Sequence, residues 1–447
     1  MAIIAVGGDV SKGYADICFR NEAGSDLWPT GCYDDTPEGH ERIRKAFAQL
    51  REHHPDAKFI IGVEATGGME RNWLRLFRGL GDDCRVHKLN PLAVKRFLER
   101  DLHRNITDEI SAQGIAAYLL SGLRPADVPY EPELEGERNL LRHVLNTVER
   151  GTQLKNELQS LLPSVHPYLV AHCRQGLPQW ALRLMVQYPT AAQLAGASEE
   201  DLASIAYMKK AMARKLIAAA KESVAALGDA TTAIVVRDLA REILDQVKKI
   251  DEQKKHLRKQ LKDDAELKLI HSVHGIGWWT AIVLRLEVGP FHRFHSDRAV
   301  VAFAGLDARN KESGDGVQRR GISRRGKSQI RASLYMPIVA MIRCNKVIKA
   351  FYKRLKGNKK SHLQAATACM AKVLRIIYAC VVTRRPFDEE YHLQAEQRHE
   401  AARKAAQAAS AAVPKPDEGS QSLDAPVSRR EAKRRKQAQT IVCGVRP

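Results

Sequence analysis

Acidic residues are the scarce component of this 447-residue chain: 52 Asp and Glu stand against 72 Lys and Arg, and the formal net charge is +20. An imbalance of that size points to a polyanionic partner, because each neutralised phosphate releases counterions. Paired cysteines are also missing. Cys18, Cys32, Cys84, Cys173, Cys344, Cys369, Cys380 and Cys443 never fall at C-x-x-C spacing, which excludes a zinc ribbon or a redox pair and fits reduced thiols of a cytosolic protein. No apolar run approaches the roughly 20 residues of a membrane span. The N-terminus, MAIIAVGGDVSKG, has neither the basic n-region nor the cleavage site of a signal peptide and reads as a strand. A cytoplasmic protein associated with nucleic acid and not with a membrane is the expectation.

What is present divides the chain by pattern. Residues 1–125 alternate strands with helices: strands at Ile3–Val10, Tyr14–Arg20, Lys58–Glu64 and Arg85–Leu89, and helices at 37–52, around Trp73–Phe77 and from Pro91. That order predicts a mixed sheet with covering helices. Residues 126–264 contain two long helical segments. The second carries a 4-3 seam at Val236, Ala240, Ile243, Val247, Ile250, Leu257 and Leu261, a heptad pattern. The two helices pair either with each other or with another subunit, and a coiled-coil connector with a shared role in oligomerisation is the expectation. Residues 265–394 are helical around one loop-rich basic stretch, with a core helix at Leu363–Thr383. In residues 395–447 the composition turns to Ala, Lys, Arg, Pro and Ser, read as a helix end and a disordered basic tail.

Three acids sit where chemistry can use them. Asp9 closes the first strand in VGGDVSK, Glu64 closes a central strand in IGVEATGG, and Asp108 opens a helix in NITDEISA. Carboxylates at neighbouring strand ends, with one from a later helix, can converge at one sheet edge. Hard oxygen ligands there can hold two Mg²⁺ ions for phosphodiester chemistry. A second group lies near the other end. His274-Gly275-Ile276-Gly277 separates two helices, and the Gly275 and Gly277 spacing suits a helix-hairpin-helix turn that binds a phosphate through backbone amides. Arg309, Lys311, Arg319, Arg320, Arg324, Arg325, Lys327 and Arg331 then crowd among Gly314, Gly316, Gly321 and Gly326. Guanidinium forks on flexible backbone suit close approach to phosphates.

These motifs resemble those of the DEDD transposases of bacterial insertion sequences, relatives of the pilin-gene invertases that include members guided by a bridge RNA. The resemblance spans residues 3–390. It implies a RuvC-like, RNase H-fold N-terminal domain, and a mainly α C-terminal transposase domain with a helix-hairpin-helix element. The family's T-D-x-x-D-A motif is matched by Thr107-Asp108-Glu109-Ile110-Ser111-Ala112 except at its last acid, where Ser111 stands. Its C-terminal pattern is matched by Ala304-Gly305-Leu306, Ser313-Gly314 and Gly321-Ile322-Ser323-Arg324-Arg325-Gly326. The resemblance implies Mg²⁺ at Asp9, Glu64 and Asp108, and a covalent serine nucleophile. Ser313 is the choice for that nucleophile, with Ser323 as the alternative that instead braces the loop. It further implies donor and target DNA, an element-encoded noncoding RNA, a homodimer or homotetramer, and association with the nucleoid. Two other classes share these features: a Holliday-junction-resolvase-like metal-dependent nuclease that uses the carboxylates and water alone, and a non-catalytic nucleic-acid-binding relative, for which Ser111 argues.

Overall fold

The computed structural model describes residues 2–99, 108–123, 131–313 and 316–412. The chain divides into two compact units, Met1–Pro132 and Glu133–Pro447.

The first unit is built on a five-stranded sheet of order β3-β2-β1-β4-β5. Its strands are β1 (Ile3–Ser11), β2 (Tyr14–Asn21), β3 (Asp26–Asp34), β4 (Lys58–Glu64) and β5 (Cys84–Leu89). β1, β2 and β3 pair antiparallel, whereas β1, β4 and β5 run parallel. The mixed sheet expected from the alternating pattern is therefore present, and it is compatible with an RNase H-like arrangement. β3 is the strand that the sequence pattern does not announce. It carries Pro29 and buries only Tyr33, the profile of an edge strand, where a missing N–H is tolerated.

Helices cover both faces. α1 (Pro37–His53) and α2 (Arg71–Arg78) bury Phe47, Trp73 and Phe77 against Ile4, Ile17, Phe59 and Ile61. After α3 (Pro91–Leu98), which starts at Pro91 behind an Asn90 cap, α4 (Asp108–Leu120) covers the opposite face with Ala112, Ile115, Ala116 and Leu119. α4 lies unusually close to the sheet. A Cβ on Gly7 would strike the backbone of Ala112 and Ala116, and one on Gly62 would press on Leu89, Leu119 and Ile115. The two glycines make a trough for this small-residue helix.

The second unit opens with α5 (Glu135–Val165). A group of short helices follows: α6 (Val170–Cys173), α7 (Gln179–Gln187), α8 (Ala191–Ala195), α9 (Glu199–Ala203) and α10 (Lys210–Lys221). The long α11 (Ala230–Gln260) then runs back along α5. The heptad seam is used within the chain. Val236, Ala240 and Ile243 are buried with Leu158, Leu162 and Val165, while Leu257 and Leu261 share a second core with Leu141. That pairing of opposite ends makes the two helices antiparallel. Midway, Gly151, Thr152, Val247 and Ile250 border a gap of about 330 Å³.

The second core continues through α12 (Ala265–His271), α13 (Trp278–Val288) and α14 (Asp297–Phe303). Next come the two-stranded ribbon β6 (Ala308–Ser313) and β7 (Gly316–Ile322), then α15 (Ser328–Cys344), α16 (Lys346–Gly357), α17 (His362–Thr383) and α18 (Glu389–Ala412). Among the described residues α17 is the one helix long and apolar enough to cross a membrane, with a mean hydropathy of 1.7, a point at odds with the absence of such a run inferred from the sequence. Its Cys369, Val373, Leu374, Ile377 and Cys380 are buried in the second core, as expected of a core helix. The tail beyond residue 412 lies outside the described residues.

Replacing Gly7 by Val is expected to lift α4 off β1 and to lower unfolding stability by about 1–3 kcal/mol, the usual range for overpacking. Urea unfolding of the full-length variant tests this, and a stability equal to the parent's would contradict the close approach described.

Candidate active site

The α4 face of the sheet can be traced strand by strand. On β1, Ala5 and Gly7 meet α4, so Asp9, two residues further, lies on the same face. On β4, Ile60 packs beside α4 and Gly62 sits under it, so Glu64 belongs to that face too. β1 and β4 are parallel, and both acids are therefore at one end of the sheet. Asp108 is the first residue of α4, where a carboxylate is favoured by the helix dipole.

Contacts bring α4 and Asp9 together. The Ser111 hydroxyl hydrogen-bonds the Asp9 carboxylate, and the Tyr14 hydroxyl donates to Asp108 Oδ2 at 3.2 Å. The structure thus gathers the three sequence-predicted acids at one edge. Thr107, the other helix-opening residue expected, lies outside the described residues.

The chain after Glu64 is pinned by a residue passed over in the sequence. Gly67 and Gly68 adopt φ of 73° and 116°, so the turn needs glycine at both. Glu70, only 1% exposed, accepts from the amides of Thr66 and Gly68 at 3.1 and 2.8 Å and pairs with Lys88 Nζ at 2.8 Å. Burial alone would raise its pKa, but the Lys88 ammonium and these amides hold it below the ordinary carboxylate range. A buried acid with so many donors is a fixed post that holds the loop.

Asp9 and Glu64 are in the opposite condition. Burial, then the charge of Asp9, pushes Glu64 up to about 7. Burial, then the charge of Asp108, raises Asp9, with the Ser111 hydrogen bond opposing. The charged neighbours acting on both are themselves acids. Among the described residues no group of three His, Cys, Asp or Glu forms a ready metal cage. An open, oxygen-only set under mutual repulsion still fits a hard divalent cation that keeps some of its waters.

The basic stretch of the second unit is a ribbon and not the loop-rich stretch expected. β6 and β7 pair antiparallel, with Arg309 opposite Arg320, Asn310 opposite Arg319, Lys311 opposite Gln318, and Ser313 opposite Gly316 at the tip. The side chains of 309–320, and residues 314 and 315 altogether, lie outside the described residues. The foot of the ribbon is well defined. The Ser323 hydroxyl donates to Asp307, and its amide bonds the Asp307 carbonyl at 2.9 Å. These two bonds join the ends of the ribbon at its foot.

The remaining cations separate by exposure. Arg331 Nη1 donates to the carbonyls of Ala304 and Gly326 at 2.9 and 3.0 Å. Lys327 pairs with Glu287 at 2.6 Å. Both tie the ribbon foot to the helical core. Arg324, at φ 55°, and Arg325 are exposed.

Gly275 (φ 103°) and Gly277 lie in the turn between α12 and α13, with Gly277 at the N-cap of α13. Buried Asn345 holds this turn by donating to the His274 carbonyl at 2.9 Å. Trp278 and Trp279 lie under Arg258 and Lys254 of α11, at 4.9 and 4.8 Å from ring centre to cation.

The raised Glu64 has a consequence in the metal-free protein. Between its ordinary 4.5 and about 7 the folded chain keeps a proton that the unfolded chain has released. Stability contributed in this way is present at low pH and is lost as pH rises through the folded value. In chelator, Tm is expected to fall across that window and Glu64→Gln to flatten the fall. An equally steep profile in the variant would exclude Glu64 as the titrating group.

Comparison with known proteins sets this geometry in a family. Residues 267–353 match the family model described as Transposase IS116/IS110/IS902 family, and residues 6–167 match the DEDD transposase model of the IS110 type. The chain is 25% identical over 361 residues to the insertion element IS110 uncharacterized 43.6 kDa protein of Streptomyces coelicolor, covering 77% of this chain and 86% of the relative. It is 31% identical over 283 residues to the transposase for insertion sequence element IS1111A of Coxiella burnetii, covering 63% and 66%. It is also 30% identical over 126 residues to the pilin gene-inverting protein of Moraxella bovis, covering 28% and 39%. One family model spans the acids and runs on into α5, the other spans the ribbon, and the chain belongs to the IS116/IS110/IS902 family of DNA transposases.

Proposed function

We propose that this transposase cuts and rejoins the DNA of an insertion sequence with two Mg²⁺ ions at Asp9, Glu64 and Asp108 and with Ser313 as the attacking nucleophile. The observation that carries the reading is the convergence of the three acids at one sheet edge. The strand order 3-2-1-4-5 with β2 antiparallel supports a RuvC-like RNase H fold for the first unit. Bound there, Mg²⁺ supplies Lewis-acid stabilisation of charge on a phosphate.

The residues divide the labour. Asp9 and Glu64 repel each other until a cation arrives, so the site is selective for positive charge. Tyr14 and Ser111 keep Asp108 and Asp9 aimed. The cationic ribbon residues Arg309, Lys311, Arg319, Arg320, Arg324 and Arg325 neutralise backbone phosphates, and the Gly275–Gly277 turn offers the α13 amides to another phosphate in helix-hairpin-helix fashion. Lys327 and Arg331 serve this interface by holding the ribbon foot.

Attack by the Ser313 oxygen forms a serine–phosphate ester as the bond to a deoxyribose oxygen breaks. The energy of the broken bond is thereby kept for rejoining. Ser313 is chosen because it stands in the Ser-Gly pair of the family pattern, whereas Ser323 bonds Asp307 at the foot of the ribbon. An element-encoded noncoding RNA as guide, a homodimer or homotetramer as the active form, and a cytoplasmic, nucleoid-bound location complete the reading and rest on the family resemblance.

A recombination assay with the element's flanking DNA, its transcript and Mg²⁺ tests this. Protein–DNA adducts are expected with the parent, and Ser313→Ala is expected to lose adduct and strand exchange by about a thousandfold or more. Full-rate cleavage by Ser313→Ala would sink the serine mechanism in favour of hydrolysis by the carboxylates and water.

A further inference from the structure

A fourth acid stands beside the three already placed, and no motif marks it. The β1–β2 register sets Asp16 directly opposite Asp9. Residues directly opposite in an antiparallel pair share a face, with Cβ atoms about 4.5–5.5 Å apart. Two neighbours check the assignment: Cys18, two residues on, is buried in the cluster under α4, and Arg20, two further, reaches the Gln113 carbonyl of α4. Asp16 therefore lies on the α4 face, at the end of the sheet where Asp9 sits.

Its setting is unfavourable for a bystander. Like charges placed opposite each other across strands are destabilising. Asp16 is half-buried, and Asp108 and Glu109 add further negative potential. Among the described residues it has no hydrogen-bond or ion-pair partner. Ser111 brings Asp9 a hydroxyl but no charge, so the first turns of α4 add less anionic oxygen than a second aspartate there would.

We propose that Asp16 is an oxygen ligand of the same divalent-cation site, acting with Asp9, Glu64 and Asp108 and supplied by β2 in place of a second acid from α4. This deepens the reading of the carboxylate edge as a cation site and depends on it.

Mn²⁺ binding to the full-length protein, followed by electron paramagnetic resonance with thermal unfolding in parallel, provides the test. Asp16→Asn is expected to weaken Mn²⁺ binding by about tenfold or more. It should also leave Tm in chelator unchanged or higher, since a repulsion is removed, while shrinking the rise in Tm that Mn²⁺ produces. A purely structural residue would do the reverse, lowering Tm in chelator and leaving the Mn²⁺ increment intact, and that result overturns the proposal. Asp9→Asn serves as the reference. If it loses Mn²⁺ binding while Asp16→Asn binds as the parent does, Asp16 is excluded and the cation site stands. If both variants bind as the parent does, the cation site itself falls, and Asp16 with it.

Discussion

The first unit depends on how closely α4 lies on β1. With Gly7 and Gly62 beneath it and Ala112 and Ala116 facing down, the helix backbone rests almost on the sheet. Its N-terminal turn is thereby held over the strand ends, where Ser111 reaches Asp9 and Asp108 receives the Tyr14 hydroxyl. A helix at the usual side-chain-cushioned spacing would leave Asp108 remote from the strand acids. The acidic edge thus follows from the smallness of residues that carry no chemistry.

A second theme is the distribution of charge. The chain as a whole is strongly basic, yet at one sheet edge a few acids stand close enough to repel one another. Glu70, by contrast, is neutralised by Lys88 and backbone amides. Carboxylates thus meet two settings within a few residues: Glu70 is held by a cation and amides and braces a turn, whereas Glu64 and Asp9 stand beside other acids. Local hydrogen bonding, not residue type, distinguishes them.

Much of this was legible in the sequence, for identifiable reasons. β4 was readable to its last residue because Lys58–Glu64 is a compact β-branched run, and α3 because Asn90-Pro91 is a cap followed by a first-turn proline. Asp9, Glu64 and Asp108 stood out at element ends. β3 was not legible, since an exposed edge strand with a proline has no alternation to read. The ribbon was hidden by its own composition: Arg, Lys and Gly suggest a loop until the pairing of Arg309 with Arg320 is seen. The place of Asp16 opposite Asp9 and the burial of Glu70 come from register and packing, and neither is local in sequence. The heptad seam was visible, but its partner was not, because α5 and α11 are separated by the whole short-helix region.

The braced foot of the ribbon makes the length of its strands a ruler. Ser323 and Asp307 lock the two ends together, while Arg331 and Lys327 fasten them to the helical core. Each strand advances about 3.4 Å per residue. Lengthening both strands by one alternation would carry the tip serine outward by about 7 Å and leave the anchoring bonds untouched. Reach is thus set by residue count and attachment by chemistry, so that one can vary without the other.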